Sequence, residues 1–301
     1  MGAKADRNLE QRTRQRFRKS TAGHRSLYVG LRKAASLPTL LKRRRAVRAL
    51  PPSAFTTPRK AGFLVLPPGR FPEVDEITAA AHATVSAVGM DAGMESSNKE
   101  FFVSLLNQSK LTLDSPFMRL ALRPDIVSAV AAYLGVLPIL EYVNVKCSDH
   151  VDQPLSKSQL LHCDSDEATQ VKIFVLCTDV TAESGPLVIL GADSSRRLRE
   201  KVAYRHNRRV TDEEATAALG NLDDLHAITG PPGTICCVDT SRCFHYGSRV
   251  SAATGRRLVV LMQYVTPWAF IMPPDFSQAA RFRRLGATAS DPTARAVLGA
   301  A

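Results

Sequence analysis

No apolar run in this chain approaches the ~18 residues needed to span a bilayer; the longest, Ile126 to Leu134 and Leu258 to Val265, fall far short, so a soluble protein with no membrane span is expected. The first 20 residues hold no apolar core segment, so a secretory signal is not expected. None of the six cysteines (Cys147, Cys163, Cys177, Cys236, Cys237 and Cys243) forms a CxxC pair, so they read as reduced thiols in or near the core. Acids are almost missing from residues 1 to 50, which carry 15 Lys or Arg against Asp6 and Glu10. The other 251 residues carry 25 basic and 26 acidic side chains, so the pI near 9.7 belongs to an arm. A body of balanced charge argues against a nucleic-acid groove within the domain. The arm's cations lack the regularly interleaved aromatics of a single-strand stacking platform.

The apolar fraction of 45% and charged fraction of 23% are those of an ordinary globular protein. A length of 301 residues favours one domain with appendages. Residues 1–54 form a basic arm for which three readings stand: a solvated, mostly disordered extension, an organelle transit peptide, or a contact for nucleic acid or an anionic surface. The expected compartment is the cytoplasm, with organelle targeting through the Arg-rich segment as the alternative. Pro51-Pro52 and Pro58 mark the boundary of a domain covering 55–274. In it, Ala61 to Pro67 reads as a strand, and Glu73 to Val88, Asn98 to Gln108 and Pro124 to Leu134 as helices, the last with Pro near its start and Gly135 at its end. From Leu137 the pattern changes. Ile139 to Cys147, Gln170 to Cys177, Pro186 to Leu190, Thr234 to Val238 and Leu258 to Val265 are β-branched, strand-like runs without regular helices between them. That disfavours a parallel βαβ sheet and favours an antiparallel sandwich or jelly roll. A polar insert, 191–224, contains a helix with a capping box, Thr211 to Leu219. Residues 275–301 read as a loose C-terminal tail.

The chemistry gathers at Ser158 to Val180, where His162 and Asp164 precede a strand-like run. Residues two apart on a strand share a face, so an imidazole and a carboxylate can converge on one metal ion. They leave its shell incomplete. His245, 83 residues further on and just past Thr234 to Val238, would complete a facial triad of two histidines and one carboxylate, the donor set of non-haem Fe(II) oxygenases. Eleven residues later, Arg256 opens the last strand, and a guanidinium there can hold a carboxylate bidentately. Arg257 adjoins it, and strand alternation puts it on the opposite face; a register shift of one residue exchanges the two.

His162-x-Asp164, His245 and Arg256 in this order resemble the phytanoyl-CoA dioxygenase-like family. The likeness extends to Ala61-Gly62-Phe63-Leu64-Val65-Leu66, to Arg209 through Glu214, and to Gly230-Pro231-Pro232-Gly233-Thr234, covering roughly 55 to 270. It implies a mainly β fold with flanking α-helices, a double-stranded β-helix (jelly roll, cupin-like). It also implies Fe(II), 2-oxoglutarate as cosubstrate and O₂, with ascorbate supportive, and hydroxylation of a small organic molecule (an acid, acyl thioester, amino acid or secondary metabolite) with release of succinate and CO₂. Iron would be held by His162, Asp164 and His245, and 2-oxoglutarate by Arg256. The chain departs from the pattern two residues after His245, where Gly247 stands, leaving Ser248 as the nearest hydroxyl. Gln159 and Lys146 are further candidates for the cosubstrate pocket, with Asn144 beside them. Since Asp164 is a carboxylate rather than Gly or Ala, hydroxylation is favoured over halogenation.

Other groupings carry less. Cys236, Cys237, Cys243 and His245 match no zinc finger or ribbon spacing. Asp166 and Glu167 offer a rival carboxylate, but Asp166, four residues after His162, is poorly placed on the same strand register. His82 reads as structural, and His150, His206 and His226 as loop residues. Trp268 and Phe270 belong to core or pocket wall. The rival from another class is a non-catalytic jelly-roll binding protein whose arm docks on nucleic acid or an anionic surface.

Overall fold

In a computed structural model of the chain, the alternation of the longest strand organises the architecture; residues 22–53, 55–89, 101–205, 208–251, 255–269 and 281–300 are described. Strand β9, Arg257–Val265, is buried along its whole length. Its even-numbered residues, Leu258, Val260, Met262 and Tyr264, face a helical layer, whereas Val259 and Leu261 face the second sheet. Apolar side chains are needed on both faces, so Leu258 to Met262 show no polar alternation, and each fully buried aliphatic chain contributes on the order of 2 kcal/mol.

Around β9 lies a six-stranded antiparallel sheet. With β1 (Phe63–Leu66), β2 (Phe102–Ser104), β3 (Ile139–Ser148), β4 (Val171–Leu176) and β7 (Ile235–Val238), the order is β1-β7-β4-β9-β3-β2. A smaller antiparallel sheet runs β6-β5-β8, from Leu225–Ile228, Leu187–Leu190 and His245–Tyr246. Helices Glu73–Val88, Pro116–Ala121 and Pro124–Leu134 supply Val74, Ile77, Met118, Leu120, Ile126 and Val130 to the core against the large sheet. The fold is therefore mainly antiparallel β with flanking helices, the jelly roll expected from the strand pattern.

Helix Glu73–Val88 has its expected bounds, and Pro124–Leu134 ends on Gly135 in the left-handed conformation at φ 72°. Helix Asp212–Leu219 is capped by Thr211, whose Oγ1 accepts from the Glu214 amide while the Glu214 carboxylate accepts from the Thr211 amide. The polar insert also holds helix Ala192–Lys201.

Three expectations are corrected. Of the helix expected over Asn98 to Gln108, the described part is instead β2, pairing with β3 from Phe102 opposite Ser148 to Ser104 opposite Lys146. The arm is not an extension where it is described: Ala22–Ala35 and Leu37–Val47 are helices. Leu40 packs with Val136 and Trp268, and the buried Arg43 guanidinium donates to the carbonyls of Leu137, Pro138 and Ala296. Residues 1–21 lie outside the described residues. The tail is not loose over 281–300, because Arg283–Ala287 and Pro292–Val297 are helices and Val297 and Leu298 are fully buried in the core. Small residues there permit close packing, which compositional reading mistakes for looseness. Phe270 and His206 fall outside the described residues.

Candidate metal centre and cosubstrate pocket

His162 and His245 lie directly opposite each other in an antiparallel bridge. The His162 amide donates to the His245 carbonyl at 3.1 Å, and the His245 amide returns a bond of 2.9 Å. Directly paired residues project to the same face, and the two imidazole centroids stand 4.3 Å apart. Asp164 follows two residues after His162 and is anchored by its own amide, which donates to the Thr240 carbonyl at 2.8 Å. All three side chains offer a ligand atom within 4.8 Å of one another, as their spacing in the sequence implies.

The orientation of the rings is fixed from behind. Nδ1 of His162 lies 2.9 Å from the Leu160 carbonyl, and Nδ1 of His245 3.0 Å from the Cys243 carbonyl. A carbonyl only accepts, so each Nδ1 carries the proton and each Nε2 keeps its lone pair. His162 Nε2 is 3.7 Å from one Asp164 oxygen and His245 Nε2 is 3.8 Å from the other. These separations are too long for hydrogen bonds and suit ligands that each reach a shared ion at about 2.0–2.2 Å. Burial, and for His162 then the second imidazole, holds both rings below the ordinary histidine pKa and so in the neutral, ligating form.

Lys172 was not among the residues singled out from the sequence. It projects from β4 into the same cavity and donates to Asp164 Oδ2 at 2.7 Å. Burial alone would raise the Asp164 pKa, but Lys172, followed by the two imidazoles, keeps it well below the usual carboxylate range. A lone lysine in the apolar run Val171–Leu176 was the available signal. Gln170 adds a second bond to Asp164 Oδ2, at 3.3 Å.

The triad opens on a cavity of about 420 Å³, whose lining includes Tyr142, Lys146, Ser158, Ser248 and Arg257. The arginines exchange places relative to the expected register. Arg256 turns outward, with a half-exposed side chain paired to Asp149 at 2.7 Å. Arg257 is 3% exposed and donates from Nη2 to Ser148 and Ser248, each at 3.1 Å. Its Nε has no hydrogen-bond partner, and among the described residues no carboxylate pairs with it. Burial lowers its pKa to about 10.

Ser248 comes three residues after His245, at φ 63°, and Arg257 twelve after it. Gly247 lies flat against the guanidinium, since a Cβ there would stand 3.3 Å from Arg257 Nη2.

The remaining candidates divide. Lys146 lines the cavity, donates to Ser104 and lies 5.0 Å from the centroid of the Phe102 ring. Gln159 is buried behind the wall, donating to the Ser248 carbonyl at 2.9 Å and accepting from the Ser156 amide, so it braces the Ser248 turn. Asn144 accepts from the Leu106 amide. Asp166 and Glu167 bond to Gln263 and Thr266, away from the triad. All six cysteines are free and buried.

No known protein-family profile matches the chain, and no curated protein matches it. Solved structures do. EctD from S. alaskensis, crystallised with bound Fe, is 20% identical and superposes with a TM-score of 0.50 over 69% of this chain and 74% of its own. The non-heme alpha ketoglutarate dependent epimerase SnoN from nogalamycin biosynthesis is 18% identical, with a TM-score of 0.44 over 78% and 84% of the two chains. HygX from Streptomyces hygroscopicus, crystallised with nickel and 2-oxoglutarate, is 15% identical, with a TM-score of 0.45 over 69% and 83%. At these identities the likeness to EctD is one of fold: this chain shares its jelly roll and, within it, holds a cluster of two histidines and one aspartate.

Proposed function

We propose that the chain is an Fe(II)/2-oxoglutarate-dependent oxygenase that hydroxylates a small organic molecule, with iron held by His162, Asp164 and His245 and the far carboxylate of 2-oxoglutarate held by Arg257. The observation that carries this reading is the Arg257 guanidinium: buried, unpaired with any described acid and facing the same cavity as the triad. A cation out of water without a counter-charge is unfavourable. A dicarboxylate bound at the metal and at Arg257 would supply that counter-charge. The hydroxyls of Ser148 and Ser248, 2.8 Å apart, both accept from Arg257 Nη2 and so fix the guanidinium at the cavity wall.

Two neutral imidazoles and a carboxylate suit a first-row divalent ion with positions left open for cosubstrate and O₂. Iron(II), 2-oxoglutarate and O₂ together supply an oxidant for a C–H bond, with succinate and CO₂ as coproducts. The chain's own residues prepare that chemistry. The Nδ1 protons hold the rings, Lys172 holds Asp164 Oδ2, and Phe174, Leu187 and Leu261 give the cavity a dry wall. The presence of Asp164 supports hydroxylation over halogenation. A volume of about 420 Å³ suits a small substrate beside the cosubstrate.

The test has two arms. Purified protein given Fe(II), ascorbate and 2-oxoglutarate releases succinate and CO₂, and His162→Ala abolishes the release. Without oxygen, addition of 2-oxoglutarate to the iron-loaded protein produces a charge-transfer absorption band. No band, no turnover and no retained metal would sink the reading.

A further inference from the structure

We infer that the N-terminal helical arm is a peripheral docking surface for an anionic lipid membrane. The argument rests on the arm alone and stands whether or not the oxygenase reading holds.

Helices Ala22–Ala35 and Leu37–Val47 turn one face to the body through Val29, Leu40 and Arg43. Leu27 and Leu31 lie on the far side of the first helix from Val29, and Leu37 and Leu41 on the flank of the second beside Leu40; the four are 63%, 61%, 49% and 46% exposed. Within each helix the two leucines are four residues apart, so they stack on one side. Among the described residues the other exposed large apolar side chains, Val65, Val88 and Leu155, are scattered singly. Lys42, Arg44, Arg45 and Arg48 are exposed beside the leucines, and no Asp or Glu occurs between Glu10 and Glu73. Helices that present leucines and cations together, without acids, are built for the boundary between lipid headgroups and acyl chains. The leucines enter the acyl edge, and each nearby cation adds attraction to anionic headgroups.

Other occupants fit less well. A second copy would bring two acid-free cationic faces together. Residues 1 to 20 carry seven Lys or Arg against two acids and add to the cationic charge of the arm. A nucleic acid would match the cations but give the leucines no apolar partner. A membrane satisfies both. With no described helix long and apolar enough to cross a bilayer, the attachment is peripheral.

The experiment sediments the full chain with vesicles of phosphatidylcholine alone, or with about one third phosphatidylglycerol. Binding is expected only to the anionic vesicles, and raising salt from about 0.1 M to 0.5 M weakens it. Leu27→Glu with Leu31→Glu lowers vesicle affinity at least roughly tenfold. Leu27→Ser with Leu31→Ser lowers it in the same direction without adding charge, and both variants keep the wild-type circular dichroism melt. Failure to bind anionic vesicles would overturn the inference. So would binding indifferent to the leucines, tighter binding to a duplex DNA oligonucleotide than to vesicles, or a leucine-dependent dimer in solution.

Discussion

Arg257 and Ser248 stand nine residues apart in the chain, and their side chains meet at 3.1 Å. Replacing Arg257 by Met is expected to weaken 2-oxoglutarate binding by about 2 kcal/mol or more, roughly thirtyfold. The cosubstrate-free protein should melt no lower, because an uncompensated buried cation is removed while apolar volume is kept. Arg256→Met, at a half-exposed surface pair with Asp149, should leave binding within about twofold. Titration of 2-oxoglutarate by calorimetry into metal-loaded protein separates the two; equal losses would assign no special role to Arg257.

Lys172 is the cation that neutralises Asp164 in the metal-free site. Lys172→Met leaves a buried carboxylate beside two imidazoles and is expected to destabilise the metal-free protein by about 3 kcal/mol. A divalent ion restores the missing charge, so the rise in melting temperature on adding Ni(II) should be larger in Lys172→Met than in the wild type. Thermal melts with and without the metal measure this, and an unchanged rise would refute it.

Metal binding should stabilise the fold by mass action, about 2.7 kcal/mol at a hundredfold excess over Kd. Chelation should reverse that gain, while His245→Ala should abolish the metal-dependent shift, its metal-free melt falling by the loss of a buried ring and its bond to the Cys243 carbonyl. A metal-dependent shift that survives in His245→Ala would place the ion elsewhere.

Glu167 is fully buried, and burial raises its carboxyl to about 7 against the bonds it accepts from Thr266 and the Ala168 amide. Its folded pKa lies above the unfolded value, so the stability it contributes is complete below pH ~4.5 and is lost as pH rises toward 7. Glu167→Gln should therefore be more stable than the wild type at pH 8, by at most about 3 kcal/mol, and should lose that advantage near pH 4.5. Denaturant unfolding across this range is the measurement; parallel curves would mean Glu167 titrates normally.

The triad was legible because strand geometry turns a spacing of two into a shared face, and because His245 follows a strand in the right order. The bounds of Glu73–Val88 and Pro124–Leu134 were legible because their apolar spacing and terminal residues agreed. The arginine register was not, since a count from His245 does not fix which of two adjacent arginines turns inward after the turn at Ser248. A parity clue existed in Gln263, the polar residue in the apolar run from Leu258 to Met262 and beyond. It shares the odd-numbered, inward face with Arg257 and donates to Gln170. The docking of the arm was hidden for another reason: Arg43 reads as one charge among many, and its three carbonyl acceptors come from segments about 94 or more residues away.

That arginine changes where the chain divides. Pro51-Pro52 looks like a seam, yet cutting there would strip the cover from Val136 and Trp268 and strand the carbonyls of Leu137, Pro138 and Ala296. One guanidinium pins helix Leu37–Val47, the turn into β3 and helix Pro292–Val297 together like a clasp. A shortened protein that keeps the clasp retains both Arg43 and Ala296.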